Sequence, residues 1–408
     1  MERRKTPLAL LGVLVISALA IPEDSRAIPA FARKYKISCT TCHDPFPRLK
    51  PYGDEFAGHG FVIPEEEKDR YYVTGGDDLL WLNKDFPLAA RFDAYAVYQR
   101  DAVDDEGEEV EFDLQTPWGL KLLSGGALAR GVGYYFYFYV AERGEVAGIE
   151  DAIIHFDKVF GSELDVAVGQ FQTSDPLLKR ELRLTYEDYL LYTIKVGESR
   201  TNLTYDRGLM LSYGIAKTGT DLVGLVVNGN GKGEAGEDRI FDQDRYKNVG
   251  LRLSQSIGDH LSVGGFFYYG KEGKTVTDTI APGSPTLHVA NEITYWGPDL
   301  EVSSGGVALR AQYLMREDNN PFLAPLGQDV ETEGLVAELV VAPHGDRSRH
   351  YYTLLYNQVD SDIDTLDYES LTASATYLLA RNLRLLAEYT RDIENERDRV
   401  TIGTVTAF

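Results

Sequence analysis

Between residue 88 and the C-terminus, apolar and polar residues alternate over segments of about ten residues, a length typical of membrane strands. In residues 91–98, for example, one face of an extended chain is apolar and the other is mixed. Alternation with a period of two indicates β-strands, and turn-forming residues separate the segments. We count sixteen such segments, at residues 91–98, 110–124, 132–140, 147–157, 163–172, 203–214, 220–228, 245–256, 261–271, 287–297, 306–316, 332–342, 350–359, 368–379, 383–393 and 397–408.

The links between these segments alternate in length. Tight turns are predicted after even-numbered segments, at Gly125-Gly126, 158–162, 217–219, 258–260 and Arg381-Asn382. Longer links are predicted after odd-numbered segments, at 101–109, 173–202, 229–244, 272–286, 317–331 and 360–367. Outer-membrane barrels have short periplasmic turns and long outer loops. The sequence therefore predicts an all-β fold, a transmembrane antiparallel barrel of about sixteen strands with both ends on the periplasmic side.

The last predicted strand ends in an aromatic residue, Phe408. This ending resembles the signal by which outer-membrane barrels are recognised for insertion. A soluble secreted β protein is the alternative, because alternating strands are a weaker signal than an apolar membrane helix. After the first twenty residues no apolar run has the length that a membrane helix needs. A chain that crosses a membrane would therefore cross it as strands.

The composition and the N-terminus agree with an exported β protein. Tyr outnumbers Trp by 26 to 3, and aromatic residues favour strands. Residues 3–5 are basic, residues 7–16 are apolar, and residues 18–20 form a cleavage site of the A-x-A type. We therefore predict a signal peptide at residues 1–20 and a mature start near Ile21, with Ile28 as a second possible start. An uncleaved short anchor is the alternative.

The net charge of −23 argues against a nucleic-acid partner and favours cationic ligands or basic protein partners. Acidic residues crowd the predicted outer loops at 101–109 and 360–369. Such runs are common in solvated loops, but at the outer mouth of a barrel they would also concentrate divalent cations. The link at 173–202 is long and mixed in charge. It either folds inward as a constriction or caps the mouth, and the sequence leaves both possibilities open.

The only two cysteines, Cys39 and Cys42, are separated by two residues, and His43 follows directly. This is the spacing for covalent attachment of a c-type haem, in which each thiol bonds to one vinyl group and the histidine is the proximal iron ligand. Such haems are attached outside the cytoplasm, in agreement with an export signal. The sequence therefore predicts one covalent haem c on Cys39 and Cys42, with His43 as its proximal ligand.

Three other interpretations of the CxxC pair are weaker. A thioredoxin-like redox pair needs a βαβ unit, which no pattern nearby predicts. A structural zinc site needs four ligands, and the chain has no second Cys/His cluster with ligand spacing. A disulfide between residues this close would close almost no loop and would stabilise little.

We divide the chain into the signal peptide, a monohaem cytochrome segment at 21–87 and the barrel at 88–408. Prolines leave the haem segment only short helical turns, and it is too small to cover a haem alone. We therefore expect it at the periplasmic side or as a plug in the polar barrel lumen, where burial would tune the haem potential.

The sixth iron ligand of an electron-transfer haem is normally Met or His. Met1, Met210 and Met315 lie outside the haem segment, and His59 is the other histidine within it. We assign His59 as a tentative distal ligand. Otherwise it is a surface histidine, and the iron is five-coordinate or takes a ligand from the barrel. The remaining histidines, among them His155, are expected to be structural or solvated.

The N-terminal motifs resemble a known group of proteins. Residues 29–33 (PAFAR), 39–43 (CTTCH), 47–53 (PRLKPYG) and 56–61 (FAGHGF), followed by a Tyr-rich barrel, resemble the fused monohaem cytochrome–porins of the outer membrane. That group includes iron oxidases of Fe(II)-oxidising bacteria. The resemblance implies that electrons pass from an external donor to a periplasmic cytochrome. The resemblance rests on specific motifs over about thirty residues and only on the barrel architecture over the rest of the chain. It therefore supports a haem and a barrel more strongly than it supports iron as the substrate.

These observations give a leading hypothesis and two alternatives. The leading one is an electron-transfer protein in the outer membrane of a Gram-negative bacterium. It would contact outer-membrane lipid, a periplasmic cytochrome or other carrier, and an extracellular metal or redox donor or acceptor, and could oxidise Fe(II) as an Fe(II):cytochrome c oxidoreductase. The first alternative is a solute channel with a structural or sensory haem plug. The second is a terminal reductase, in which electrons flow outward.

Overall fold

The computed structural model describes residues 30–63, 66–67, 72–73, 82–83, 86–100, 111–174, 176–236, 238–242, 244–277 and 286–408. The predicted signal peptide and the first acidic outer loop lie outside these residues. Within the described part of the chain, no helix has both the length and the apolar character required to cross a membrane.

In the described residues before the barrel the chain forms three short helices: α1 (Ala30–Tyr35), α2 (Cys39–Cys42) and α3 (Pro51–Gly58). Their sequences explain their limits. The Ser38 hydroxyl caps α2 by accepting a hydrogen bond from the Thr40 amide at 3.3 Å. Pro51 occupies the first turn of α3, where the missing amide proton costs nothing. A pair of two-residue strands, Tyr72–Val73 and Leu82–Asn83, follows these helices.

Sixteen antiparallel strands form a closed barrel. They are β1 (Leu88–Gln99), β2 (Phe112–Ala129), β3 (Val132–Glu142), β4 (Gly148–Phe156), β5 (Leu164–Gln172), β6 (Tyr205–Ile215), β7 (Thr220–Val227), β8 (Asn248–Ile257), β9 (Leu261–Thr277), β10 (Thr286–Ser304), β11 (Val307–Asp318), β12 (Val330–Val341), β13 (His350–Ser361), β14 (Tyr368–Ala380), β15 (Leu383–Asp392) and β16 (Arg397–Ala407). The prediction of about sixteen strands is confirmed.

The barrel closes where β16 pairs with β1. The Phe408 amide donates to the Ala90 carbonyl at 2.8 Å, and the Ala90 amide donates to the Phe408 carbonyl at 2.7 Å. The two faces of the strands differ as their period-2 pattern predicts. On β6, for example, Leu209, Leu211 and Tyr213 are exposed, while the side chains between them are more buried. The barrel therefore presents an apolar outer surface.

The links alternate in length largely as expected, and one predicted turn is wrong. Gly125 and Gly126 lie inside β2, and the turn is formed by Arg130-Gly131. A Cβ atom on Gly125 would lie 3.0 Å from the Phe31 ring. The glycine therefore permits close contact with α1 and does not form a turn. We call the end of the barrel with the Arg130-Gly131 turn the short-turn end, and the opposite end the long-loop end.

One of the predicted long links also differs from the structure. The link predicted from residue 272 starts later, because β9 continues to Thr277. The alternation of apolar and polar residues is weaker after residue 271, but hydrogen bonds to β10 still pair the backbone N–H and C=O groups as far as Thr277.

The segment between β5 and β6, residues 173–204, folds into the lumen, and we call it the inward loop. It contains 3-10 turns at Arg180–Leu182 and Leu190–Tyr192. Its anchors lie on distant strands. The Arg384 guanidinium donates to the Leu184 carbonyl at 2.8 Å, and the Tyr189 hydroxyl donates to Glu338 at 2.8 Å. Of the two possibilities left open by the sequence, the structure has the constriction.

Apolar side chains of the inward loop pack against the inner wall of the barrel. The cluster of buried residues comprises Phe171, Leu178, Tyr189, Leu191, Tyr192, Leu203, Leu225, Val227, Phe266, Tyr268, Ile293, Tyr295, Leu314, Val336 and Leu355. Its wall residues come from β5, from β7 and from β9 to β13. One side of the lumen is therefore a hydrophobic core at this level, which differs from the polar lumen that we expected.

Candidate haem-binding cavity

The short-turn end of the barrel holds the three helices. Lys50 forms an ion pair with Asp346 at 2.7 Å, and Phe61 stacks on Tyr135 of β3 with 4.3 Å between ring centroids. A Cβ atom on Gly133 of β3 would lie 2.6 Å from the carbonyl oxygen of Gly60. The segment that was predicted to need another surface is thus packed on the inner wall of the barrel.

The two cysteines are the first and last residues of α2, and both thiols are free. Residues three apart in a helix lie on the same face, so one flat ligand can reach both thiols. Backbone hydrogen bonds fix the next segment: the His43 amide donates to the Cys39 carbonyl, and the Lys50 amide donates to the Cys42 carbonyl, both at 2.9 Å. The chain therefore doubles back immediately after the motif and holds His43 beside it.

His43 is oriented by its own backbone loop. Its Nδ1 atom lies 3.0 Å from the Pro47 carbonyl oxygen and 3.3 Å from that of Arg48. Because a carbonyl oxygen only accepts, Nδ1 carries the proton and Nε2 keeps a free lone pair. Burial lowers the pKa of His43 to about 4, so the ring is neutral near pH 7. A neutral imidazole with Nδ1 anchored is the form that binds iron.

Cys39, Cys42 and His43 line one cavity of about 640 Å³. This volume falls within the range of small-molecule and cofactor sites. The other walls are the inner face of the barrel and the inward loop, including Leu177 and Leu178. The cavity thus brings together the three residues that the sequence assigns to the haem.

Arg48 supplies a further test of whether the cavity suits a haem, whose propionates need cationic partners. Arg48 lines the cavity and is 8% exposed. Its Nη1 donates to the Asp44 carbonyl at 3.4 Å, while its buried Nε has no hydrogen-bond partner among the residues that the structure describes. A buried guanidinium with an unused donor is suited to a ligand carboxylate. The residues present therefore fit a haem c.

His59 lies elsewhere. It is the C-cap of α3 and is not among the residues that line the cavity. Its Nδ1 lies 2.7 Å from Asp157 Oδ1, in the turn between β4 and β5, and its Nε2 lies 3.8 Å from Glu55. The structure does not bring His59 to the cysteines, and its role as distal ligand stays a prediction.

Two residues with side chains of the axial-ligand type do line the cavity, Met210 of β6 and His155 of β4. Sequence reasoning set both aside because they are distant from the CxxCH motif along the chain. The period-2 pattern could have found them, since it predicts which residues of each strand face the lumen.

The inward loop carries a charged cluster at the wall of the cavity. Glu181 accepts hydrogen bonds from Lys121 at 2.7 Å, from Tyr137 at 3.0 Å and from Tyr139 at 2.9 Å. All these groups are buried or nearly so. A buried carboxylate with three donors is well compensated, and it fixes the loop to β2 and β3.

The comparisons with known proteins bear on the barrel. No protein-family model matches the chain, and no curated protein matches it. Solved porins do match: the anion-selective porin from Comamonas acidovorans gives a TM-score of 0.56 at 12% identity, over 79% of this chain and 99% of that chain. The barrel has the porin fold. At this identity the likeness establishes the fold and nothing further.

Two other solved barrels agree. The in-vitro folded trimer form of OmpT from Vibrio cholerae gives a TM-score of 0.52 at 10% identity, over 79% of this chain and 99% of that chain. Salmonella typhi OmpF, solved in complex with daunomycin, gives 0.52 at 12% identity, over 79% of this chain and 97% of that chain.

Proposed function

We propose that the protein is an outer-membrane electron conduit. A single c-type haem, bound to Cys39 and Cys42 and ligated by His43, would pass one electron at a time between an external partner and a periplasmic carrier. The observation that carries the proposal is the lumenal cavity in which the two thiols and the free Nε2 of His43 meet. When bound, the haem supplies reversible one-electron chemistry.

The chain's own residues give this site its properties. The thiols fix the position of the ring, and the Nδ1 bond of His43 to Pro47 fixes the imidazole. Arg48 offers its unused donor to a propionate. The apolar residues of the inward loop limit access of water, which helps to set the reduction potential.

Packed aromatic rings extend from the cavity toward the long-loop end. The ring centroids of His43 and Phe46 are 5.4 Å apart, and Phe46 packs against the cluster around Tyr95. Tyr186 of the inward loop lies 4.9 Å from Tyr95 and 5.1 Å from Trp118. These contacts give a packed path from His43 to Trp118, and the path supports electron passage along the lumen.

The external partner is proposed from charge and from the resemblance to cytochrome–porins. The 3-10 turn between β13 and β14 and its flanks expose Asp360, Asp362 and Asp364. Carboxylates at the long-loop end attract divalent cations. Fe(II) is therefore the proposed donor, and a periplasmic cytochrome is the proposed acceptor.

Liposomes that contain the purified haem-loaded protein, with an oxidised soluble cytochrome c enclosed, would test the proposal. External Fe(II) should reduce the enclosed cytochrome through the intact protein. The Cys39→Ser/Cys42→Ser double variant should insert as a barrel and give no reduction. Equal rates for the two proteins, or no reduction by Fe(II) or any other one-electron donor, would contradict the conduit.

A solute channel with a structural or sensory haem is the second candidate, and the porin fold of the structural neighbours favours it. This candidate expects ion conductance through single barrels in a planar bilayer, with no electron transfer in liposomes. A measured midpoint potential for the haem distinguishes an inward conduit from a terminal reductase, because the potential decides which partners can donate.

A further inference from the structure

We propose that His59, Asp157 and Asp165 form a binding site for a divalent transition-metal ion beside the haem cavity, whose lining includes Asp165. The site lies at the short-turn end, where the end of α3 meets the turn between β4 and β5. It goes beyond the proposed electron transfer, since its ion would join the haem segment to the barrel wall.

The ligand atoms are already close together. One nitrogen of His59 and one oxygen each of Asp157 and Asp165 lie within 4.8 Å of one another. Zn²⁺ holds nitrogen and oxygen ligands at about 2.0–2.2 Å, so two ligands of one ion lie up to roughly 4.4 Å apart. The Lys158 amide donates to Asp165 Oδ1 at 2.8 Å and fixes that carboxylate. Small side-chain movements would complete the site.

Strand register explains why the two carboxylates meet. Phe156 pairs with Val166, and Asp157 and Asp165 are the next residues along the two chains. Like charges at opposed positions destabilise a β-ladder. Among the described residues, no lysine or arginine side chain forms an ion pair with either carboxylate, and the imidazole of His59 lies 2.7 Å from Asp157. A bound dication would remove this repulsion.

His155 provides an independent observation. Its side chain is 6% exposed, and within the described residues its buried Nδ1 has no hydrogen-bond partner. His155 precedes Asp157 by two residues, so both side chains lie on the same face of the strand. A Cβ atom on Gly60, the neighbour of His59, would lie 3.1 Å from that Nδ1. A buried imidazole nitrogen without a partner among the described residues therefore lies next to the backbone that follows His59, where a water molecule bound to the ion would satisfy it.

The ligand types indicate the class of ion. Imidazole with carboxylates suits Zn²⁺, Fe²⁺ or Mn²⁺, whereas Ca²⁺ and Mg²⁺ prefer oxygen ligands alone. The side chains of His59 and Asp157 are 29% and 19% exposed, so water can complete the coordination. In this assignment His59 binds the second metal and is not the distal haem ligand.

Isothermal titration of the haem-loaded protein in detergent with Zn²⁺ would test the site, because the haem then occupies both thiols. We expect one site, with affinity at least about tenfold weaker in Asp165→Asn and in Asp157→Asn, since each loses a ligand. The matched control is Glu163→Gln, an exposed carboxylate of the same turn, which should bind as the parent does. Heat-dependent migration on gels checks that each variant forms a barrel.

Two results would overturn the assignment. The first is no stoichiometric Zn²⁺ binding by the parent, or the same affinity in the parent and in both aspartate variants. The second comes from His59→Gln: a changed axial-ligand spectrum of the haem with unchanged Zn²⁺ affinity would make His59 a haem ligand. An unchanged haem spectrum with weakened Zn²⁺ binding supports the second metal site, whether or not electron transfer is observed.

Discussion

Lys121 of β2 donates a 2.7 Å hydrogen bond to Glu181 of the inward loop, and both side chains are almost fully enclosed by protein. Glu181→Gln leaves the buried ammonium group of Lys121 beside a neutral amide, with Asp93 at 3.8 Å as its remaining ion-pair partner among the described residues. Breaking a buried ion pair by removing one partner costs about 3–5 kcal/mol. We therefore expect the inward loop to detach from this wall and the barrel to conduct ions more readily.

Single-barrel conductance in a planar bilayer measures this effect. Glu198→Gln is the matched control, because Glu198 is an exposed glutamate of the same loop. It should conduct as the parent does. Equal conductance of the Glu181→Gln variant and the parent would mean that the apolar contacts of the loop hold it without this ion pair.

A second prediction concerns the contact between the haem segment and the wall. In Gly133→Ala the new methyl group would lie 2.6 Å from the backbone oxygen of Gly60, a distance that the backbone cannot tolerate. The haem segment should therefore separate from β3 and become more sensitive to added protease, with the barrel intact. Gly58→Ala is the control, since a Cβ atom there meets nothing within 4 Å. If both variants resist protease equally, this contact does not hold the segment.

The sequence predicted the barrel better than its contents. Strand number and closure follow from local period-2 patterns and from turn residues, which each segment carries by itself. The contents of the lumen depend on pairs far apart in sequence, such as Arg384 with Leu184. The misassigned turn at Gly125-Gly126 has the same cause, because those glycines accommodate α1, about ninety residues away in sequence.

The candidate site likewise has residues that a local motif predicts and contacts that depend on residues far apart in the sequence. Cys39, Cys42 and His43 are recognisable because covalent haem attachment requires adjacent residues. The position of His59 beside Asp157 depends on docking of α3 on the barrel, and no local pattern encodes that contact.

The third prediction concerns Arg48, whose buried Nε has no hydrogen-bond partner in the described part of the chain. If it pairs with a haem propionate, Arg48→Met removes a positive charge near the iron and stabilises the ferric state. The midpoint potential should fall by some tens of millivolts, where about 59 mV is a tenfold change in a one-electron equilibrium. Redox titration followed by haem absorbance measures it, and Arg347→Met at an exposed position is the control. A potential unchanged by Arg48→Met would exclude this pairing.

The fourth prediction is a pH dependence of the same potential. Asp54 of α3 lines the cavity, and burial inside the lumen raises the pKa of its carboxyl group to about 6. Below that pH the group is neutral, and above it the group is an anion. An anion near the haem stabilises ferric more than ferrous iron, so the midpoint potential should fall as the pH rises from about 5 to 7. The slope cannot exceed about 59 mV per pH unit for one proton and one electron.

Asp54→Asn should remove this dependence, because the amide does not titrate, and should give a potential near the low-pH value of the parent. Glu55→Gln is the matched control, since Glu55 is the next residue of α3 and does not line the cavity. It should keep the pH dependence.

The raised pKa of Asp54 also affects stability. The folded protein binds the proton of Asp54 more tightly than the unfolded chain does, so stability is lost as the pH rises through about 6. Asp54→Asn should therefore resist denaturant better than the parent at pH 8 and about equally at pH 4. A pH-dependent potential that persists in Asp54→Asn would assign the titration to another group of the cavity.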